Sequence, residues 1–292
     1  MKVAVYSRVW EWGQREDLQL FFDELKNESI IPVIAAPFHE EISKHLTLPD
    51  NTLTFHSHEE LREDIDFIIS LGGDGTLLDT VTLVRSKNIP VVGINFGRLG
   101  FLASIGRDEL STAVKALARR SFIVDKRSLI HLDSSSSLFE DTPYALNEFA
   151  IHKRDVSPMI KIHTYLNGEL LNTYWADGLI LATPTGSTGY NLSCHGPIVF
   201  PDSGSFVITT IAPHNLNVRS IVVPDNTIIS FEIESRSEEV IVALDSRREI
   251  VGKNIQLAIR KESFMINLVR LNENNFLQTM RNKLSWGLDK RN

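Results

Sequence analysis

Residues 65–80 read IDFIISLGGDGTLLDT: an apolar strand-like run, three glycines in four positions around one carboxylate, then at once a helix-like stretch. A backbone that turns sharply out of a buried strand uses residues without a Cβ, and these also let it come close to a ligand. Asp74 would then stand at the carboxyl end of a parallel strand, where open α/β sheets place their ligands. The amides of the turn, and of a helix starting near Thr76, could face an anion. An acidic tight turn is the alternative that these residues alone leave open. Two other phosphate motifs drop out. A dinucleotide fingerprint through Gly73 and Gly75 needs Gly or Ala at 78, where Leu78 stands, and no Gly-x-x-x-x-Gly-Lys-Ser/Thr occurs.

Outward from this stretch, the first third alternates strand-like and helix-like segments. Val3–Tyr6, Ile30–Ala35, Ile65–Leu71 and Val91–Ile94 read as strands; residues 15–27 put Leu18, Phe21, Phe22 and Leu25 on one helical face, and a second helix is expected over about 76–86. Such alternation predicts a parallel sheet covered by helices. Near residue 121 the pattern changes to successive strand-like runs, with Asn167-Gly168 as a strong hairpin signal, and the chain ends in a helical pattern over 275–286.

The 292 residues exceed one typical domain, and 42% apolar with 23% charged residues is ordinary for a folded soluble chain. A formal net charge of −7 disfavours a general nucleic-acid or anionic-membrane binder. The single cysteine, Cys194, excludes an intrachain disulfide and a cysteine-rich zinc site, so a reducing, cytoplasmic setting is expected. The opening MKVAVYSRVW has too short an apolar core for a signal peptide, and no run is long enough for a membrane helix.

Two further constellations carry chemistry. Residues 176–193, ADGLILATPTGSTGYNLS, run from a strand into a loop bearing Thr185, Ser187, Thr188, Tyr190, Asn191 and Ser193 together with the permissive Gly186 and Gly189. Hydroxyls and a flat aromatic suit a nucleotide, the former meeting polar edges and Tyr190 stacking on a ring; a Ser/Thr-rich surface loop is the plainer reading. In Leu146-Asn147-Glu148-Phe149, an adjacent amide and carboxylate interrupt a strand-like run. Such a pair can grip a ribose diol by accepting and donating together, or it can be a buried structural pair.

Taken in order, Gly72-Gly73-Asp74-Gly75-Thr76, Gly93 to Leu102, Asn147-Glu148, and Asp177-Gly178-Leu179 through Thr183-Pro184-Thr185-Gly186-Ser187-Thr188-Gly189-Tyr190 resemble the NAD kinases, as do Pro213-His214 with Arg219 and the terminal Lys283 to Gly287. The likeness covers almost the whole chain. It implies a doubly wound, Rossmann-like α/β domain over 1–122, a β-sandwich domain over 123–271, and a C-terminal helix within 272–292 returning to the first domain. The active site would lie between the domains. It also implies transfer of the terminal phosphoryl group of ATP to the 2′-hydroxyl of the adenosine ribose of NAD, giving NADP.

Carried over by position, Asp74 is the catalytic base. Gly75, Phe101, Asn147, Glu148, Asp177, Thr185, Thr188, Gly189, Tyr190 and Ser193 bind NAD, while Gly72, Gly73, Gly75, Thr76, Arg98 and His214 face the ATP phosphates. Arg219, Arg247 and Arg248 are further candidates for neutralising phosphate. Magnesium, or another divalent cation, arrives with ATP rather than in a preformed protein cage, and relatives assemble as homodimers or homotetramers. The chain departs from the family at Gly189, often alanine; at Ser246-Arg247, which replace Gly-Gln after Asp245; and at Cys194-His195, where small residues are usual. Two rival readings share part of the pattern: a lipid or sphingoid-base kinase with the same GGDGT loop, and a nucleotide sensor that binds NAD or NADP without turnover.

Overall fold

The strand-like runs of the first third become β1 (Lys2–Tyr6), β2 (Ile31–Ala35), β3 (Leu53–Phe55), β4 (Phe67–Leu71) and β5 (Val91–Asn95), with a short β6 (Ile105–Gly106) beside β5. The structure is a computed structural model and describes residues 1–154, 158–271 and 276–285. Pairing is parallel throughout and runs β3-β2-β1-β4-β5. This is a doubly wound order, and the winding reverses between β1 and β4, so the loops leaving those two strands flank the switch point. Ile68, Ile69, Val91 and Val92 are wholly buried, as expected of strands covered on both faces.

Helices α1 (Arg15–Asn27), α2 (Ala36–Ile42), α3 (Asp74–Val84) and α4 (Leu110–Ala118) pack on this sheet or on one another. In α1 the buried stripe is Leu18, Phe21, Phe22 and Leu25, with Glu16 and Asp17 in the first turn and Lys26 in the last, the polarity that the helix dipole favours. Helix α3 starts at Asp74, two residues earlier than its apolar spacing suggests.

The second half forms β7 (Ile123–Ser134), β8 (Tyr144–Ala145), β9 (Glu148–Lys153), β10 (Ile160–Leu166), β11 (Glu169–Ala176), β12 (Gly178–Ala182), β13 (Ser205–Ile211), β14 (Ile221–Pro224), β15 (Ile229–Glu234), β16 (Glu239–Leu244), β17 (Arg247–Gly252) and β18 (Leu257–Arg270), with one short helix, α5 (Tyr190–Ser193). Six of these make an antiparallel sheet ordered β14-β13-β12-β9-β16-β17. Strands β11-β10-β15-β18 form a second antiparallel layer. One core holds residues of both layers, and Phe149 of β9 stacks on Phe231 of β15 at 5.5 Å, so the arrangement is a β-sandwich. The Asn167-Gly168 turn joins β10 to β11 with φ of 50° and 87°, the left-handed pair of a type I′ hairpin.

The chain divides into two compact units, Met1–Lys126 with the segment from Ile266 onward, and Arg127–Met265. The tail helix α6 (Phe276–Leu284) belongs to the first of these and buries Met280. Trp286 and Gly287 of the terminal motif lie outside the described residues. No described helix is long and apolar enough to cross a membrane.

Candidate active site

In the α/β unit, β4 delivers Gly72 at φ +147°, a value that side chains rarely tolerate. The turn places Asp74 on the first residue of α3, half-buried. Three successive backbone amides close on its carboxylate. Oδ1 accepts from Leu102 (3.0 Å) and Ala103 (2.9 Å), and Oδ2 accepts from Phe101 (2.9 Å). A carboxylate offers roughly four lone-pair directions, so these bonds fill Oδ1 and leave Oδ2 with acceptor capacity for a hydroxyl. The loop supplying the amides is braced by Asn95, whose Oδ1 accepts from Gly97 N (2.9 Å) while its Nδ2 donates to Arg98 O (2.8 Å). Phe101 thus meets Asp74 through its amide rather than its ring. The exposed Arg98 lines a cavity of about 430 Å³ with Gly100, Ser104, Gln278 and Lys283.

The β-rich unit repeats the motif of a carboxylate seated on three consecutive amides. Asp245, at φ +52° in the turn between β16 and β17, accepts from Leu146 (2.9 Å), Asn147 (2.8 Å) and Glu148 (3.1 Å). This fixes the backbone of the Asn147-Glu148 pair. Glu148 is driven up to about 8, first by burial and then by the nearby Asp245, so at neutral pH it is mainly a carboxylic acid able to donate as well as accept. Asn147 Oδ1 and Glu148 Oε2 are buried with no hydrogen-bond partner among the described residues. Buried polar atoms of this kind normally have partners, and both suit a ligand's hydroxyls.

Much of the hydroxyl-rich loop builds itself. Thr183 Oγ1 donates to Leu146 O (2.5 Å), Ser187 Oγ donates to Pro184 O (2.7 Å), and buried Asn191 donates to Ser187 O and Pro197 O at 3.0 Å each. Thr185 is also buried, its Oγ1 accepting from Arg127 Nη1 at 3.2 Å, and Thr188 Oγ1 donates to Thr185 O at 3.2 Å. A Cβ on Gly186 would lie 2.0 Å from Asn147 O, so only glycine lets this loop lie against the Asn147 backbone. A Cβ on Gly189 would meet Glu148 Oε2 at 3.1 Å; glycine there spaces the loop from the acid.

Tyr190 and Ser193 are exposed, and one face of the Tyr190 ring rests on His152 at 5.7 Å and 19°. Burial and the neighbouring Arg248 push the His152 pKa down, leaving a neutral ring for stacking. Glu148, His152, Tyr190, Ala243 and Arg248 line a cavity of about 500 Å³. Asp177 is countered by Lys153, Nζ to Oδ1 2.8 Å. His214 stacks on Trp175 at 4.4 Å and donates its amide to Trp175 O (2.8 Å).

Of the other arginines considered, Arg247 is committed to Thr142 and the Tyr144 carbonyl, and Arg219 to the carbonyls of Leu216 and Val218. Both brace backbone in this structure. The sequence reading missed Asp245's seat, His152, Lys153 and Arg127. For His152 a signal existed: Glu148, Ala150 and His152 recur at the period of two that puts residues on one face of a strand.

A doubly wound unit with a carboxylate on a glycine turn, followed by a β-sandwich that carries a hydroxyl-rich loop, has the parts that a nucleotide-dependent phosphotransferase uses. Comparison with known proteins specifies which. Residues 24–122 match the ATP-NAD kinase N-terminal domain and residues 146–271 the ATP-NAD kinase C-terminal domain. The NAD kinase of Cytophaga hutchinsonii is 49% identical over 279 residues, 96% of this chain and 91% of that protein, and the NAD kinase of Flavobacterium psychrophilum is 43% identical over the full length of both. Among solved structures, an NAD kinase from Archaeoglobus fulgidus in complex with ATP superposes with a TM-score of 0.75 at 25% identity, covering 98% of this chain and 99% of that one. A yeast NADH kinase complexed with NADH superposes at 0.88 and 22% identity over 99% of this chain and 88% of that one, a likeness of fold. The chain belongs to the NAD kinase family.

Proposed function

We propose that this enzyme phosphorylates the 2′-hydroxyl of the adenosine ribose of NAD at the expense of ATP, with Asp74 as the base. The observation that carries the reading is the Asp74 carboxylate, oriented by three amides yet keeping acceptor capacity on Oδ2. As the 2′-oxygen bonds to the terminal phosphorus, its proton passes to Oδ2; the bond from that phosphorus to the bridging oxygen breaks and ADP departs with the electron pair. Positioning and charge stabilisation supply most of the rate in such transfers. The turn of Gly72, Gly73, Gly75 and Thr76, with Arg98 and His214, faces the phosphates of ATP; the Gly72 and Thr76 amides are taken up in holding the turn, donating to Ile94 O (2.8 Å) and Gly73 O (3.0 Å). Magnesium enters as part of the metal–nucleotide substrate.

On the coenzyme side, Asn147 and the protonated Glu148 hold ribose hydroxyls through their buried, unpartnered oxygens. Tyr190, backed by His152, stacks on the adenine, and Phe101, Asp177, Thr188, Gly189 and Ser193 complete the contacts. Thr185 contributes through the loop shape that its buried hydroxyl maintains. The same reading has the chain working in the cytoplasm as a homodimer or homotetramer, which light scattering of the purified protein tests. For the activity, the test is purified protein with ATP, magnesium and NAD, read by an NADP-specific dehydrogenase. One NADP per ADP is expected; ADP release without NADP overturns the assignment.

A further inference from the structure

Arg8 lies on the loop that leaves β1, directly across the switch point from the glycine turn that leaves β4. Asp79, one helical turn beyond Gly75 on α3, takes its guanidinium in a two-pronged grip: Nε to Oδ2 at 2.7 Å and Nη2 to Oδ1 at 2.6 Å. Tyr6 steadies Asp79 from the other side, donating to Oδ2 at 3.1 Å. The grip uses two of the three guanidinium nitrogens. The third, Nη1, is turned toward the glycine turn: a Cβ built on Gly75 would meet nothing nearer than Arg8 Nη1, at 3.9 Å. Ser7 Oγ donates to Leu71 O at 2.8 Å, tying the root of the Arg8 loop to the end of β4.

A surface ion pair contributes little stability, so stability is a weak reason for this arrangement. Its geometry does something else. A guanidinium held by one edge is a rigid cation with its remaining N–H groups aimed in a set direction, a form suited to phosphate oxygens. Gly75 is exposed, and the Arg8 side chain is 49% exposed, so a ligand at the turn can reach both.

We propose that Arg8 binds the phosphate chain of the nucleoside triphosphate at the glycine turn, with Asp79 as the residue that aims it. The inference rests on the kinase reading above but is tested separately from it. In steady-state kinetics, Arg8→Met should raise the KM for ATP at least about tenfold while the KM for NAD stays within twofold; loss of one charge-assisted bond is worth about that factor. Inorganic tripolyphosphate should compete with ATP, and its inhibition constant should rise in parallel. Asp79→Asn, which weakens the grip but keeps Arg8, should give a smaller rise for ATP alone. Equal losses for both substrates, or no change for ATP, overturn the proposal. Calorimetric titration of tripolyphosphate into wild type and Arg8→Met reads the same contact without turnover: weaker binding to the variant supports it and equal binding refutes it. A wild type that makes no NADP would instead sink the kinase reading.

Discussion

The backbone of Gly100 rests directly on the Asp74 carboxylate, so closely that a Cβ at residue 100 would lie 1.8 Å from Oδ1. The amides that orient the proposed base come from the three residues that follow, so the fit of this loop and the aim of the carboxylate are one feature. Gly100→Ala must push the two apart. Misplacement of about 1 Å can cost on the order of a hundredfold in rate. The expected outcome is a kcat lowered by about that factor with unchanged far-ultraviolet circular dichroism.

Glu148 supplies a pH dependence. Its pKa in the folded protein, about 8, lies above the carboxyl value of 4.5, so between those limits the folded chain holds a proton that the unfolded chain has released. Stability is therefore highest below the lower value and falls as pH rises toward the upper one. Glu148→Gln should remove that fall, measured by urea melts across the range. In wild type the dissociation constant for NAD should rise above about pH 8, where Glu148 ceases to donate; a flat profile contradicts the donor role.

Asn147→Ala should raise the KM for NAD about tenfold, the loss of roughly one or two hydrogen bonds, while leaving the KM for ATP nearly unchanged. An NAD constant that does not move removes Asn147 from the coenzyme site.

On the proposed reading His152 acts through Tyr190, against whose ring it stacks at 5.7 Å. Removing its ring with His152→Ala leaves one face of the tyrosine unsupported, and a stacked pair contributes about 0.5–1.5 kcal/mol. The KM for NAD should rise between about twofold and tenfold, and fluorescence quenching of Tyr190 by solutes should increase.

How much of this was legible in the sequence depended on range. The strand–glycine–helix reading at 65–80, the Asn167-Gly168 hairpin and the α1 stripe rest on local rules, and each is present in the structure. The strand order was not readable, because pairing of β1 with β4 joins residues some sixty positions apart. For the same reason the seats of Asp74 and Asp245 were hidden: each carboxylate finds its amides about 30 or 100 residues away. The TGSTGY loop shows a different limit. Composition revealed many hydroxyls but not that Thr183, Thr185 and Ser187 turn inward to hold the loop's own shape.

The most direct test of the account is Asp74→Asn, with kcat and the NAD dissociation constant measured on the same preparation. Asparagine keeps one carbonyl oxygen for the amides of Leu102 and Ala103 but cannot accept a proton on the other position. Loss of general-base catalysis costs about a hundredfold or more. The account predicts at least that loss in kcat, with NAD affinity within about tenfold of wild type. Near-normal turnover, or a loss confined to NAD binding, would show that the 2′-hydroxyl proton goes elsewhere.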